Sequence, residues 1–531
     1  MMLETIREYG LECLTSSGEL ELTRQAHAEY FLALAEEAEP EFDGPQQAVW
    51  LERLEREHEN LRAVMRWSLE QGEAGWGKEM ALRLGGALWQ FWQVRGHYSE
   101  GRIFLERALA GGEAVIASVR AKAIKAAAGL AFFQGNIDRA EALWRESLAL
   151  YRELGDTANI ASSLYWLAEV TSFRGNLAAA RSLIGEALAL CRELGDKGNI
   201  AWALNYLAVL DVIQGEYARA HVLYEESLAL HRELGNMRGI ANSLFRLAEM
   251  LFITQGDQAS IRSLLEEGLA LFGAVGDKDG TAQSLCLSGR LALSQGDLAT
   301  ARSLAEECVA LSREKEDWWA IAWSLCLLAQ VEACQGDHAA ARALYEESLA
   351  IAKKWNYKLH IASYLEGLAS VVVVQGEPAW AAQLWGAAKA VRDAMGAPLP
   401  PVERADYERS AATARSRLGE EAFSSAWTEG RTMTLEQVLA AQRPVTMPPP
   451  IPAEPSTAPP VPKAPTYPDE LTAREVEVLR FVAQGLTDAQ VAEKLVISPR
   501  TVNTHLTSIY AKIQVSSRSA ATAYALAHHL V

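Results

Sequence analysis

Between residues 81 and 395 the apolar positions fall on a helical period, and the pattern itself repeats. In 161–190, Ala161, Leu164, Leu167 and Ala168 share one side of a helix. Leu177, Ala180, Ile184, Ala187 and Leu188 mark a second helix on the same period. Gly175 between them predicts a stop in the left-handed conformation, and Asn176 is a residue type that caps the next helix. That glycine recurs at Gly96, Gly135, Gly175, Gly215, Gly256, Gly296, Gly336 and Gly376, at spacings of 39, 40, 40, 41, 40, 40 and 40. An alanine recurs with it at Ala201, Ala241, Ala282, Ala322 and Ala362, small enough for close helix approach. A second turn closes each pair at Gly155-Asp156, Gly195-Asp196, Gly235-Asn236 and Gly276-Asp277; Glu316 and Asn356 replace its glycine later in the chain. A fixed period near 40 predicts an α-solenoid of stacked helix pairs.

Residues 1–80 also read as helical. Leu54, His58, Leu61, Met65 and Leu69 form one stripe, in which His58 reads as a packing histidine and not a ligand. Residues 396–442 extend the array with further helix, interrupted by Pro398, Pro400 and Pro401. Eleven of the 18 prolines then fall in 443–468, which predicts an extended linker. At about 3.1 Å per residue it reaches at most on the order of 80 Å.

In 469–531 the pattern predicts four short helices. Thr472-Ala473-Arg474-Glu475 and Thr487-Asp488-Ala489-Gln490 are capping boxes, Ser498-Pro499 opens the third helix, and the fourth starts near Ser517. Gly485 stops the first. Val502, Leu506, Ile509 and Ile513 must face a core with Val491 and Leu495 opposite, while Arg500, Asn503, Thr504 and Thr507 lie on the other face. The joint between helices two and three is short, as in a helix-turn-helix. The expected fold class is therefore all-α, with a repeat solenoid joined by a proline-rich linker to a four-helix module.

Charge sharpens the picture. The chain carries –18, yet from Lys494 onward it has no acidic residue and four cations, so the preceding residues sum to –22. Phosphate backbones attract such an end and are repelled by the rest. The six cysteines form no C-x-x-C pair and are expected as reduced, buried thiols of a cytosolic protein. Met1–Leu14 lacks the apolar core of a secretory signal, and no run of 18 apolar residues predicts a membrane span. Gly72–Glu79 nearly fits a phosphate-binding loop but ends in Glu79 where a hydroxyl must hold magnesium, and it follows a helix. No catalytic, cofactor or metal-ligand spacing rises above chance, so no enzyme activity, cofactor or metal is expected.

The repeat, A-x-x-L-x-x-L-A then Gly-Asn/Asp then a spaced Ala, resembles the tetratricopeptide repeat in a longer form. Leu471–Leu479, Ala483–Ala492 and Leu495–Leu506, with Ile509, Lys512, Val515 and Arg518, resemble the LuxR-type (GerE-like) helix-turn-helix family. That resemblance implies base contacts from Asn503, Thr504 and Thr507. It implies backbone contacts from Lys494, Ser498, Arg500, Thr501, His505, Lys512 and Arg518. Asn503 departs from the family, which often has Lys there. Met2–Leu14, His27–Phe31 and Trp50–Leu61 resemble the segment that follows the ATPase module in large regulators of the STAND type, which implies the back half of such an architecture without its ATPase. The expected partners are double-stranded DNA, bound as a dimer or higher oligomer, and a protein or small-molecule effector on the array. The alternative is a protein-binding adaptor with secondary or lost DNA binding. By resemblance, its groove would present Tyr165, Trp202, Asn205, Asn242, Phe245, Glu249 and Arg290.

Overall fold

The computed structural model describes residues 4–71, 75–110, 115–314, 318–355, 358–441, 468, 471, 473–495, 502, 506, 508–510, 512–513, 515, 517–528 and 530. The chain divides into two compact units, Met1–Val445 and Thr446–Val531.

In the first unit the repeat is physically explicit. Thr157–Phe173 pairs with Leu177–Leu194, Lys197–Ile213 with Tyr217–Leu234, and Met237–Ile253 with Gln258–Val275. The same pairing begins at Gly75–Arg95 with Tyr98–Leu109 and ends at Lys358–Val374 with Pro378–Met395. The recurrent alanines Ala161, Ala201, Ala241, Ala282, Ala322 and Ala362 are all buried. Their backbones are used as well: Ser227 Oγ donates to the Ala201 carbonyl at 2.9 Å, and Cys308 Sγ occupies the same place against Ala282. The glycines at 155, 195, 235 and 276 each end a helix at φ +68°, and Asp156, Asp196, Asn236 and Asp277 cap the next one through their side chains. The turns expected at Glu316 and Asn356 lie outside the described residues.

The other glycine series holds with one correction. In the fifth pair the left-handed residue is Gln255, at φ 58°, and not Gly256. In the third pair the left-handed Gly175 is followed at once by its cap Asn176. Here Gly256 stands as an extra residue between Gln255 and the cap Asp257. That insertion is the physical origin of the spacing of 41.

The array also meets residues far away in sequence. Asn236 Nδ2 donates to Asp43 Oδ1 at 3.0 Å, and Arg238 donates through its backbone N–H to Gln47 Oε1 at 3.1 Å. The N-terminal helices are therefore packed into the array. Residues 401–440 add three helices, Pro401–Leu418, Glu420–Gly430 and Leu435–Ala440. Cys191, Cys286 and Cys308 are buried as expected, but Cys13 and Cys334 are exposed: Cys13 lies on Glu4–Ser17, where no described side chain is buried, and Cys334 lies in the last turn of Trp318–Gln335. Among the described residues no helix is long and apolar enough to cross a membrane.

The second unit has its own core. Val476, Leu479 and Val482 of Ala473–Ala483 pack with Val491 of Asp488–Leu495, with Val502, Leu506, Ile509 and Ile513, and with Ala521 and Ala525 of Arg518–Ala527.

Candidate nucleic-acid interface and repeat groove

The C-terminal unit is built by local signals that the sequence displays. Thr487 and Gln490 form a reciprocal box: Gln490 Oε1 accepts from the Thr487 N–H at 2.9 Å, and Thr487 Oγ1 accepts from the Gln490 N–H at 3.4 Å. Gly485 ends the first helix at φ +85°. Ser517 caps the last helix by accepting from the Ala520 N–H. Burial of Val502, Leu506, Ile509 and Ile513 fixes which face of that segment is inward. The positions expected to read DNA, Asn503, Thr504 and Thr507, lie outside the described residues, as do Ser498, Arg500, Thr501 and His505.

Three expected backbone contacts are described, and they differ. Lys494 is exposed. Lys512 donates to Glu475 Oε2 at 2.8 Å, and Ser508 donates to the other oxygen of that buried carboxylate at 2.7 Å. Arg518 pairs with Asp488 and donates to the Leu486 carbonyl. Lys512 and Arg518 thus join helices within the module. Sequence reasoning missed Glu475 as the counterpart of Lys512 because it read that residue as a capping-box partner of Thr472.

The inner positions of the array separate into two groups. Asn205 and Phe245 were expected in the groove, but both are core residues, 4% and 1% exposed. They occupy one register position, forty residues apart, that points between helices; Asn205 Nδ2 donates to Ser243 Oγ at 3.3 Å. Tyr165, Trp202, Asn242, Glu249 and Arg290 are half-buried. Trp202 meets the His231 ring edge-on at 4.9 Å with Arg238 above it at 5.9 Å. Arg290 lies over Phe252 and 3.8 Å from Glu403, so the C-terminal extension already covers it.

On the inner face of the array, the residue that sequence reasoning missed is Glu169. It stands eighty positions before Glu249, in the same register, so the repeat itself was the signal. Burial pushes its carboxyl up to about 7, against the pull of Arg246 and Arg238. Its Oε2 is buried without a hydrogen bond, and so is Arg246 Nε, although Arg246 Nη1 holds Glu249 at 2.8 Å. Tyr165 and Tyr206 pack edge-on beside it, with ring centroids 5.6 Å apart. Carboxyl, guanidinium and phenol groups from three successive repeats therefore share one inner face. The described part of the phosphate-loop-like segment is helical: Gly75 opens a helix, and Lys78 Nζ donates to the Ala110 carbonyl at 3.2 Å.

Comparison with known proteins matches these parts separately. Residues 469–525 match the family described as bacterial regulatory proteins, luxR family, and 159–233 and 321–354 match tetratricopeptide repeats. A "Putative HTH-type transcriptional regulator" of Mycobacterium bovis is 34% identical over 138 residues, 26% of this chain and 14% of that protein. The transcriptional regulatory protein LiaR of Bacillus subtilis is 44% identical over 63 residues, 12% of this chain and 30% of its own. The aligned stretches thus span well under half of these relatives. A tetratricopeptide-sensor STAND protein from Pyrococcus horikoshii superposes at a TM-score of 0.38 with 14% identity, over 67% of this chain and 55% of its own, too distant to carry functional weight. The chain carries a helix-turn-helix domain of the LuxR family of bacterial regulatory proteins behind an array of tetratricopeptide repeats.

Proposed function

We propose that this chain is a DNA-binding transcriptional regulator in which the repeat array receives a protein or small-molecule signal. The observation that carries the reading is the family match over 469–525 together with burial of Val502, Leu506, Ile509 and Ile513. By the helical period of the sequence, Arg500, Asn503, Thr504 and Thr507 fall on the face opposite these four. Side chains of these types suit base edges and phosphates in a major groove. The acid-free stretch from Lys494 supplies the electrostatic attraction, and the chain binds as a dimer on an inverted repeat. Asn503 in place of a lysine removes one phosphate-seeking charge and shifts the base preference toward adenine.

The test is a gel shift of the full-length protein on pooled genomic fragments. Binding should weaken with salt by a log–log slope of about –0.9 per phosphate neutralised. Arg500→Glu should abolish it, while Asn503→Lys should change which fragments are retained. Absence of salt-dependent binding by the wild type would refute the proposal.

A further inference from the structure

Three donor groups converge where the N-terminal helices meet the first repeat pair. Glu55 lies on the helix Gln47–Arg56, His58 opens the helix His58–Glu70, and His97 stands in the turn between Gly75–Arg95 and Tyr98–Leu109. One carboxylate oxygen and one nitrogen from each imidazole all lie within 4.8 Å of one another. The two imidazole rings are 4.2 Å apart. Glu55 Oε2 and His97 Nε2 face each other at 3.5 Å, both buried and neither in a hydrogen bond. Buried polar atoms left in this way are costly, and a cation between them would satisfy both.

We propose that Glu55, His58 and His97 bind a divalent transition-metal ion of the zinc class. Two imidazoles and one carboxylate are the donors that such borderline-soft ions take. Calcium and magnesium prefer a shell of oxygens, which this cluster does not offer. Tetrahedral ligands about 2.1 Å from an ion stand roughly 3.4 Å apart, close to the separation of Glu55 Oε2 and His97 Nε2. Glu100 Oε1 lies 2.7 Å from His58 Nε2, and its other oxygen accepts from Arg62 Nε at 2.6 Å; with Nε2 so engaged, Nδ1 would be the ligating nitrogen and Glu100 the outer carboxylate that orients it. The opposing charge is Arg95, whose Nε is 3.7 Å from Glu55 Oε2. That nitrogen makes no hydrogen bond, and the same guanidinium already reaches Glu52 at 3.6 Å, so an arriving ion displaces no hydrogen bond from it. A bound ion would staple the helices of 47–70 to the first turn of the array.

The experiment is a titration of the metal-stripped full-length protein with cobalt(II), read by visible absorption, and with zinc, read by calorimetry. One ion per chain is expected in the micromolar range or tighter, with the intense visible bands of a low-coordinate cobalt site. His97→Ala and the near-isosteric Glu55→Gln should each weaken binding at least about tenfold. Circular dichroism checks that both variants keep their helices, and Glu55→Gln remains informative if His97→Ala does not fold. His528→Ala/His529→Ala removes the adjacent pair near the C-terminus that could capture an ion adventitiously and should change nothing. Absence of binding, or binding lost in the His528/His529 variant and retained in Glu55→Gln, overturns the proposal.

Discussion

The Lys512 ammonium is 2.8 Å from Oε2 of Glu475, a carboxylate that is nearly sealed from water. The pair joins the first helix of the C-terminal module to the segment that holds Leu506, Ile509 and Ile513. Removing the lysine takes the charged donor from a buried carboxylate that Ser508 also holds. Lys512→Ala should therefore cost the module about 1–2 kcal/mol. Amides of 473–527 should exchange faster with deuterium, while those of the array stay unchanged. A Glu475→Ala/Lys512→Ala double variant should lose less than the two single losses added together. Additive losses would show that the pair is not coupled.

Glu169 makes stability depend on pH in a direction opposite to the usual salt-bridged acid. Its carboxyl is raised from 4.5 to about 7, chiefly by burial. The folded chain therefore holds that proton more tightly than the unfolded chain does. The stabilisation is fully present below pH 4.5 and is lost as pH rises through about 7. The loss is at most about 3 kcal/mol. Glu169→Gln keeps the shape and cannot ionise. Denaturant unfolding from about pH 5 to 8 should show the wild type falling relative to this variant across that window. Parallel curves would place the Glu169 proton elsewhere.

The periodic features were legible because each is a local rule repeated. Gly175, Asn176 and Ala161 announce stop, cap and close approach in neighbouring residues, and the structure uses them so. The core of the C-terminal module was equally legible, since Val502, Leu506, Ile509 and Ile513 lie on one helical stripe. What escaped depends on contacts between distant parts of the chain. Nothing near Arg290 in sequence says that Glu403 covers it, and nothing near His58 says that His97 packs against it. Asn205 and Phe245 show a different limit: the helical period gives the side of a helix only to within a neighbouring position, and one step separates groove from core.

Gln255 is the one described non-glycine residue at positive φ. A side chain in that conformation costs about 1 kcal/mol, which glycine avoids. Its side chain returns little, reaching only the Pro401 carbonyl at 3.5 Å. Gln255→Gly should stabilise the array by roughly 1 kcal/mol, seen as a higher midpoint in urea unfolding. Gly256→Ala should not mimic this gain, because Gly256 is the inserted residue and its neighbour Leu251 is 3.1 Å from where a Cβ would stand. A stability loss on Gln255→Gly would mean that the side-chain contact outweighs the backbone strain.

Gly386 and Gly430 set propensity against packing and so give a sharp sign. Gly386 lies within Pro378–Met395, and Gly430 ends Glu420–Gly430. A Cβ on Gly386 would stand 2.0 Å from the Trp427 carbonyl oxygen, and a Cβ on Gly430 would stand 2.0 Å from that of Gln383. The two backbones touch, and no side-chain rotation can relieve the clash. In an open helix Gly→Ala stabilises by about 1 kcal/mol. At Gly386 the helices must separate instead, which also strains the bond from Trp380 Nε1 to the Val438 carbonyl, now 2.7 Å. Gly386→Ala should therefore destabilise the C-terminal end of the array by at least about 2 kcal/mol. The readout is thermal unfolding together with hydrogen exchange over 378–440. Gly185→Ala is the control that should gain stability, since nothing lies within 4 Å of the point its methyl would occupy. If both substitutions stabilise equally, the two helices do not cross through their glycines.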